Sequence, residues 1–416
     1  MKRQLLIISL ISLISFTNAQ TAYITNTLCD SVTVINVATN TVTSAIKIGN
    51  GGGGEATGVS VSPDGSKVYV SVGYDSVCVI NTATNAVSAI VIVGHNSDTK
   101  GLAILPDGSK VYVANSFSDT VSVINAFSNT VSAKIPVGAW PNGVAVSPDG
   151  KKVYVTNTYS NTVSVINSVV DTVSATIPVD INPYGVAVSP DGKKVYVANQ
   201  GYVSDGSVSV INSATDSVTA TITGSGLSGP FGILVSPDGS AVYVTNFGNE
   251  STSVPGNTVS VINAATDSVT ATIAVGVWPS GISVSPDGKK IYVANSASNT
   301  VSVINSATNT VSATITVGCA PYAYGNFISS YTTGIAPQIM LSENIVVYPN
   351  PAMNILTIER TQEAVIEITN IQGQTILKQQ IKQGKTEINI SELAKGLYIL
   401  RLCSKEKTEE TKFVKE

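Results

Sequence analysis

Chemistry in this chain has few residues to work with. His95 is the only imidazole in 416 residues, and a loop histidine is a ready general base. No second histidine, Gly-x-Ser-x-Gly elbow or close carboxylate pair accompanies it, so catalysis lacks its other parts and the chain reads as a non-enzyme. Aspartates recur at 64, 107, 149, 191, 238 and 287, each inside a Pro-Asp-Gly triplet. An oxygen cage would need a further carboxylate two residues on, and none has one. These are turn residues on this reading, and neither a metal nor a cofactor is expected. The remaining set is aromatic: Trp140, Tyr184, Phe231, Trp278 and Tyr322 stand beside the proline and glycine of corresponding segments, with Glu55, Asp98 and Lys100 at the matching places in two copies that lack the proline. Such rings stack on sugars or peptide side chains. Equally, they can pack on one another as core.

The charge balance narrows the partners. Residues 21–340 hold 11 lysines, no arginine and 17 carboxylates, a net of −6, while residues 341–416 hold 10 basic and 10 acidic residues. An acidic, arginine-free stretch does not supply the cationic footprint of a nucleic-acid binder. The change in charge density marks a boundary near residue 340.

The elements that must position these residues repeat. Each Pro-Asp-Gly triplet precedes a tyrosine strand (Tyr69, Tyr112, Tyr154, Tyr196, Tyr243 and Tyr292, with Tyr23 opening the series), and an Ile-Asn pair follows, ending at Asn36, Asn81, Asn125, Asn167, Asn212, Asn263 and Asn305. One copy, residues 281–317, contains four short alternating segments, and the Pro-Asp-Gly between the first two suits a tight hairpin. Four strands in about 42 residues, seven times over, is the arithmetic of a seven-bladed β-propeller. The chain enters at the second strand of one blade, so a first strand around 324–329 should complete that blade and close the ring.

Tyr-Val-Thr-Asn at 154–157 and 243–246, and Tyr-Val-Ala-Asn at 112–115, 196–199 and 292–295, resemble the YVTN repeats of exported β-propellers. That resemblance implies the fold over about 310 residues and leaves the activity open. Some exported propellers are lyases or lactonases, which is the alternative to a binding or structural module. The offset from first-strand glycine to tyrosine is 11 in six copies, whereas the tyrosine to isoleucine spacing, 12 in most copies, grows to 15 at Tyr196 and 19 at Tyr243. Variation therefore collects in loops on one side, the expected binding face for a glycan or protein ligand. His95 and the aromatic set fall there, around the channel mouth, where the rings either offer a rim or plug the channel.

The ends give the destination. Lys2 and Arg3, a 12-residue apolar run from Leu5 to Phe16, and Thr17-Asn18-Ala19 read as a signal peptide over 1–19. The propeller then covers 20–331, a linker 332–342, and a small Ig-like β-sandwich 343–416. In the last, Pro349-Asn350-Pro351, Gly373-Gln374, Leu393-x-x-Gly396-x-Tyr398 and Lys412-Phe413-x-Lys415 resemble the type A carboxy-terminal sorting domain of the Bacteroidetes type IX secretion system. The resemblance implies the type IX machinery as partner and a secreted or outer-membrane surface protein; a monomer is expected. Cys29 and Cys319 both fall at the closure seam, where a disulfide would staple the ring. Asp-Ser/Thr-Val at 30–32, 75–77, 119–121, 171–173, 216–218 and 267–269 resembles a Bacteroidetes O-glycosylation acceptor, although turns favour Asp and Asn for local reasons.

Overall fold

A computed structural model describes residues 20–48, then 56–329 apart from 74, 96, 202–205, 225 and 250–253, and finally 346–415 apart from 349–351, 361–363, 371–373, 382–383 and 404–407. The signal segment 1–19, Glu55, the linker 332–342 and Pro349, Asn350, Pro351 and Gly373 lie outside the described residues. The chain divides into two compact units, Met1–Gly334 and Ile335–Glu416.

The first unit is all β. Six four-stranded antiparallel sheets, each in chain order, follow a three-stranded sheet of Thr21–Asn26, Ser31–Asn36 and Thr41–Lys47. We number them blades 1 to 7; blades 2 to 7 cover 56–92, 99–136, 141–178, 183–222, 230–274 and 279–316. Blade 1 gains its missing inner strand from the far end of the repeats. The Tyr23 amide donates to Phe327 O (2.9 Å), the Tyr322 amide to Thr25 O (2.9 Å) and the Ser329 amide to Thr21 O (3.0 Å), with bridges at Ala22–Ile328 and Asn26–Pro321. The closing segment is thus 320–329, a turn longer than the sequence suggests.

The burial pattern shows why these sequences make blades. Second and third strands such as Lys152–Asn157 and Thr162–Asn167 are buried almost throughout, because each sheet is covered on both faces by its neighbours. The outermost strand alternates, as in Thr172–Pro178, with serine and threonine turned to solvent. Hydrophobic clusters run from blade to blade: Tyr112, Val121, Val123 and Ile135 of blade 3 pack with Val153, Val155 and Ile166 of blade 4.

The Pro-Asp-Gly aspartates serve their own turns. Ser147 Oγ donates to Asp149 Oδ1 (2.6 Å) and the Lys151 amide to the same oxygen (3.1 Å), while Gly150 takes φ +71°; the serine bond holds the Asp149 carboxyl below its usual range. A second set of aspartates joins neighbouring blades. Lys152 Nζ reaches the next blade's turn at Ser213 O (2.6 Å) and Asp216 (2.8 Å). Lys110 does the same with Asp171 (2.7 Å) and Lys194 with Asp267 (3.0 Å). Asp171, Asp216 and Asp267 of the Asp-Ser/Thr-Val triplets are therefore inter-blade latches.

The second unit pairs Val346–Tyr348, Ile355–Arg360 and Gly384–Asn389 in one sheet, and Thr375–Ile381, Ala364–Asn370, Gly396–Cys403 and Thr408–Lys415 in another. Leu356, Ile358, Ile366, Ile368, Leu400 and Phe413 form its core.

Candidate binding face

The loops between blades share one backbone device. The residue before the proline, or its equivalent, is left-handed at Asp98 (φ +50°), Trp140 (+58°), Asn182 (+53°), Trp278 (+54°) and Ala320 (+49°). The inner strand begins at the proline position, and the residue after the proline is its second residue. A chain that passes through a left-handed residue reverses sharply, so these two positions present their side chains to different surroundings. Trp140 and Trp278 occupy the first position; Lys100, Tyr184, Phe231 and Tyr322 occupy the second. The rim expected from sequence thus divides, among its described members, into two rings of positions, with His95 in neither.

Phe231, Phe247 and Tyr324 are buried together, with Tyr184, Trp278 and Tyr322 packed against them. Ring centroids lie 4.8 Å apart for Tyr184–Phe231, 5.3 Å for Phe231–Tyr324 and 5.8 Å for Phe247–Trp278. These rings satisfy one another. Phe247 and Tyr324 were missed by alignment because neither sits beside a loop proline.

Trp140 stands apart from that cluster. Its ring stacks on Tyr159 (4.7 Å, 28°) and meets Phe117 (4.9 Å, 59°), and those partners are 65% and 43% exposed. Phe117 and Tyr159 lie in the loops between second and third strands of blades 3 and 4, where the matching residue is Leu28 in blade 1 and Ala297 in blade 7. An aromatic five residues after the strand tyrosine in three consecutive copies, Tyr74, Phe117 and Tyr159, was the available signal. Local bonds fix the strip: the Trp140 amide donates to Asp119 Oδ1 (2.8 Å), the Ala139 amide to Ser160 Oγ (2.7 Å) and Ser116 Oγ to Pro141 O (2.7 Å).

Of the polar candidates, His95, Asp98 and Lys100 are described residues. His95 is almost wholly exposed, with its Nδ1 3.9 Å from Asp75. Lys100 pairs with Asp98 at 3.0 Å. Among the described residues no three His, Cys, Asp or Glu side chains cluster as metal ligands. Cys29 and Cys319 are joined across the seam, their Cα atoms 5.5 Å apart. In the second unit Tyr398 stacks on Phe413 (5.6 Å) and donates to Ala394 O (2.9 Å), and Gly396 pairs with Lys415 on the neighbouring strand. Lys412 lies on that same strand.

Family models match two parts of the chain. A YNCE-like beta-propeller model covers residues 76–204 and 251–332, together just over half of the sequence. The chain is a YNCE-like β-propeller. A secretion system C-terminal sorting domain model covers residues 346–416, so the propeller carries a sorting tail that implies export by the type IX system. Both resemblances read from the sequence are borne out. No curated protein matches. Among solved structures, the propeller is similar to Kuenenia stuttgartiensis hydrazine synthase, with 22% identity over 68% of this chain and 96% of that one and a TM-score of 0.58. It is also similar to a functionally unknown protein from Desulfotomaculum acetoxidans, with 16% identity over 74% of this chain and 100% of the other and a TM-score of 0.60. Likeness at this identity shows the fold alone.

Proposed function

We propose that this exported propeller is a glycan-binding module without catalytic activity, displayed at or released from the cell surface, and that it holds a sugar ring on Phe117, Trp140 and Tyr159. One observation carries the reading. A tryptophan in the left-handed region costs roughly 1–2 kcal/mol, and the same loop position elsewhere holds Asp98, Asn182 or Ala320. Trp278 recovers that cost by stacking on Phe247 within the buried cluster, whereas the ring of Trp140 meets partners that are themselves open to solvent. Backbone strain kept to hold an aromatic strip in water points to a ligand. Ser118, Asp119 and Ser160 flank the strip with hydroxyl and carboxylate groups suited to sugar hydroxyls.

Two experiments bear on this. On a glycan array the full chain is expected to show saturable binding that falls at least about tenfold in Trp140→Ala and in Tyr159→Ala, since losing one ring contact of about 1.5 kcal/mol costs a decade of affinity. Absence of binding by the wild type, or undiminished binding by both variants, rejects the glycan reading. Deleting residues 343–416 is expected to leave the protein in the periplasm. Recovery of the truncated protein from the medium would show that the tail is not its export signal.

A further inference from the structure

The propeller axis is closed at one end only. On the side of the Pro-Asp-Gly turns the channel opens into a cavity of about 600 Å³, within the range of small-molecule sites. Its wall is built from inner strands, with Leu102, Val144, Val186, Ile233 and Ile282 in the wall and a collar of turn prolines from Pro63 to Pro286 at the mouth. Tyr324 and the glycines at the third position of those strands form the inner end. There the channel meets the buried aromatic cluster to which Tyr324 belongs, so the cavity does not run through to the variable-loop face.

We propose that this cavity is a second binding site, on the face opposite the variable loops, for an uncharged and mainly apolar small molecule that leads with a hydrogen-bonding oxygen. Three observations support that class. Among the described residues, the side chains lining the cavity include no acidic, basic or imidazole group, and a charge brought into such surroundings unpaired is expensive. The wall is largely aliphatic, which favours an apolar body. At its inner end the Tyr324 side chain is buried, yet its hydroxyl has no hydrogen-bond partner among the described residues. A buried hydroxyl normally finds one; this one has almost no accessible surface of its own, so a ligand oxygen would meet it where the Tyr324 ring turns toward the cavity. Burial also pushes the phenol well above its ordinary pKa, so it stays a neutral donor at physiological pH. The site is independent of Trp140 and of the glycan reading.

Nile red, an uncharged fluorophore with a ring carbonyl, tests the proposal on the full chain. One saturable site of micromolar affinity with blue-shifted emission is expected, unchanged in Trp140→Ala and not displaced by the anionic dye 1-anilinonaphthalene-8-sulfonate. Asn326 lines the cavity and is exposed there, so Asn326→Trp fills the space and should abolish the signal. Tyr324→Phe keeps the ring and the packing, and should weaken binding about fivefold through loss of one hydrogen bond. No saturable binding by the wild type overturns the proposal, as does displacement by the anionic dye. Equal affinity in Tyr324→Phe also overturns it, so the test stands even if Asn326→Trp does not fold.

Discussion

Gly143→Ala is expected to destabilise the propeller by about 3 kcal/mol, the upper part of the range for overpacking a close-packed site. Gly143 has no left-handed backbone to protect; it is there because a β carbon would stand 2.3 Å from the carbonyl oxygen of Tyr184 in the next blade and 3.0 Å from the Tyr324 hydroxyl. The same approach recurs around the ring, at 2.5 Å for Gly101 against Asn142 O and 2.3 Å for both Gly185 against Phe231 O and Gly232 against Ser280 O. The offending atoms are backbone of a neighbouring inner strand, which cannot rotate aside as a side chain would. Relief requires two blades to separate at the axis, where the ring is narrowest. Gly150→Ala supplies the contrast, because that glycine is left-handed at φ +71° with nothing nearer than 3.4 Å, and should cost only about 1 kcal/mol. Both tryptophans, Trp140 and Trp278, lie in the propeller, so their fluorescence in urea reports its unfolding. Equal midpoints for the two variants would show that the inner-strand glycines do not set blade spacing.

That glycine illustrates what a sequence can disclose. The spacing from Gly143 to Tyr154 and its constancy along the chain were enough to number the blades, because a turn such as Pro148-Asp149-Gly150 and a strand such as Lys152–Asn157 announce themselves locally. The seam was legible for the same reason, since the first blade visibly lacks a strand. The candidate site was legible only as a region. Trp140 and Tyr184 look equivalent in an alignment that tolerates two residues of slack, yet the left-handed turn between them sends one to an open strip and the other to a buried cluster. Phe117 and Tyr159 escaped because attention to loop prolines passed over the hairpins beside them. The latch role of Asp216 could not be read at all, since its partner Lys152 is 64 residues away.

Loss of the Cys29–Cys319 bond is expected to lower the stability of the propeller by about 4 kcal/mol, because the bond closes a span of 290 residues in the unfolded chain. The two cysteines replace a contact that other blades make without sulfur. Ser160 Oγ accepts from the Ala139 amide and Ser298 Oγ from the Val277 amide (2.8 Å); at the seam Cys29 stands in place of the serine and Cys319 in place of Ala139 or Val277. Two loops already held together by the architecture thus carry thiols at bonding positions. The remaining closure is non-covalent and runs from Ala320 to Ser329 against the first strand and the turn after it, so without the bond it should open first. Hydrogen exchange in Cys29→Ser/Cys319→Ser is expected to show early loss of protection at Tyr23, Tyr322 and Ser329, with blades 3 to 5 protected until global unfolding. Cys78 is a suitable internal control, being buried with its thiol pushed up to about 11 and therefore inert to mild oxidants. If reductant leaves the wild-type urea midpoint where it was, the staple contributes nothing and the seam is held by its β pairing alone. A lowered midpoint carries a further consequence. The bond forms only in an oxidising compartment, so in a reducing one the ring is unstapled and the propeller falls short of its full stability.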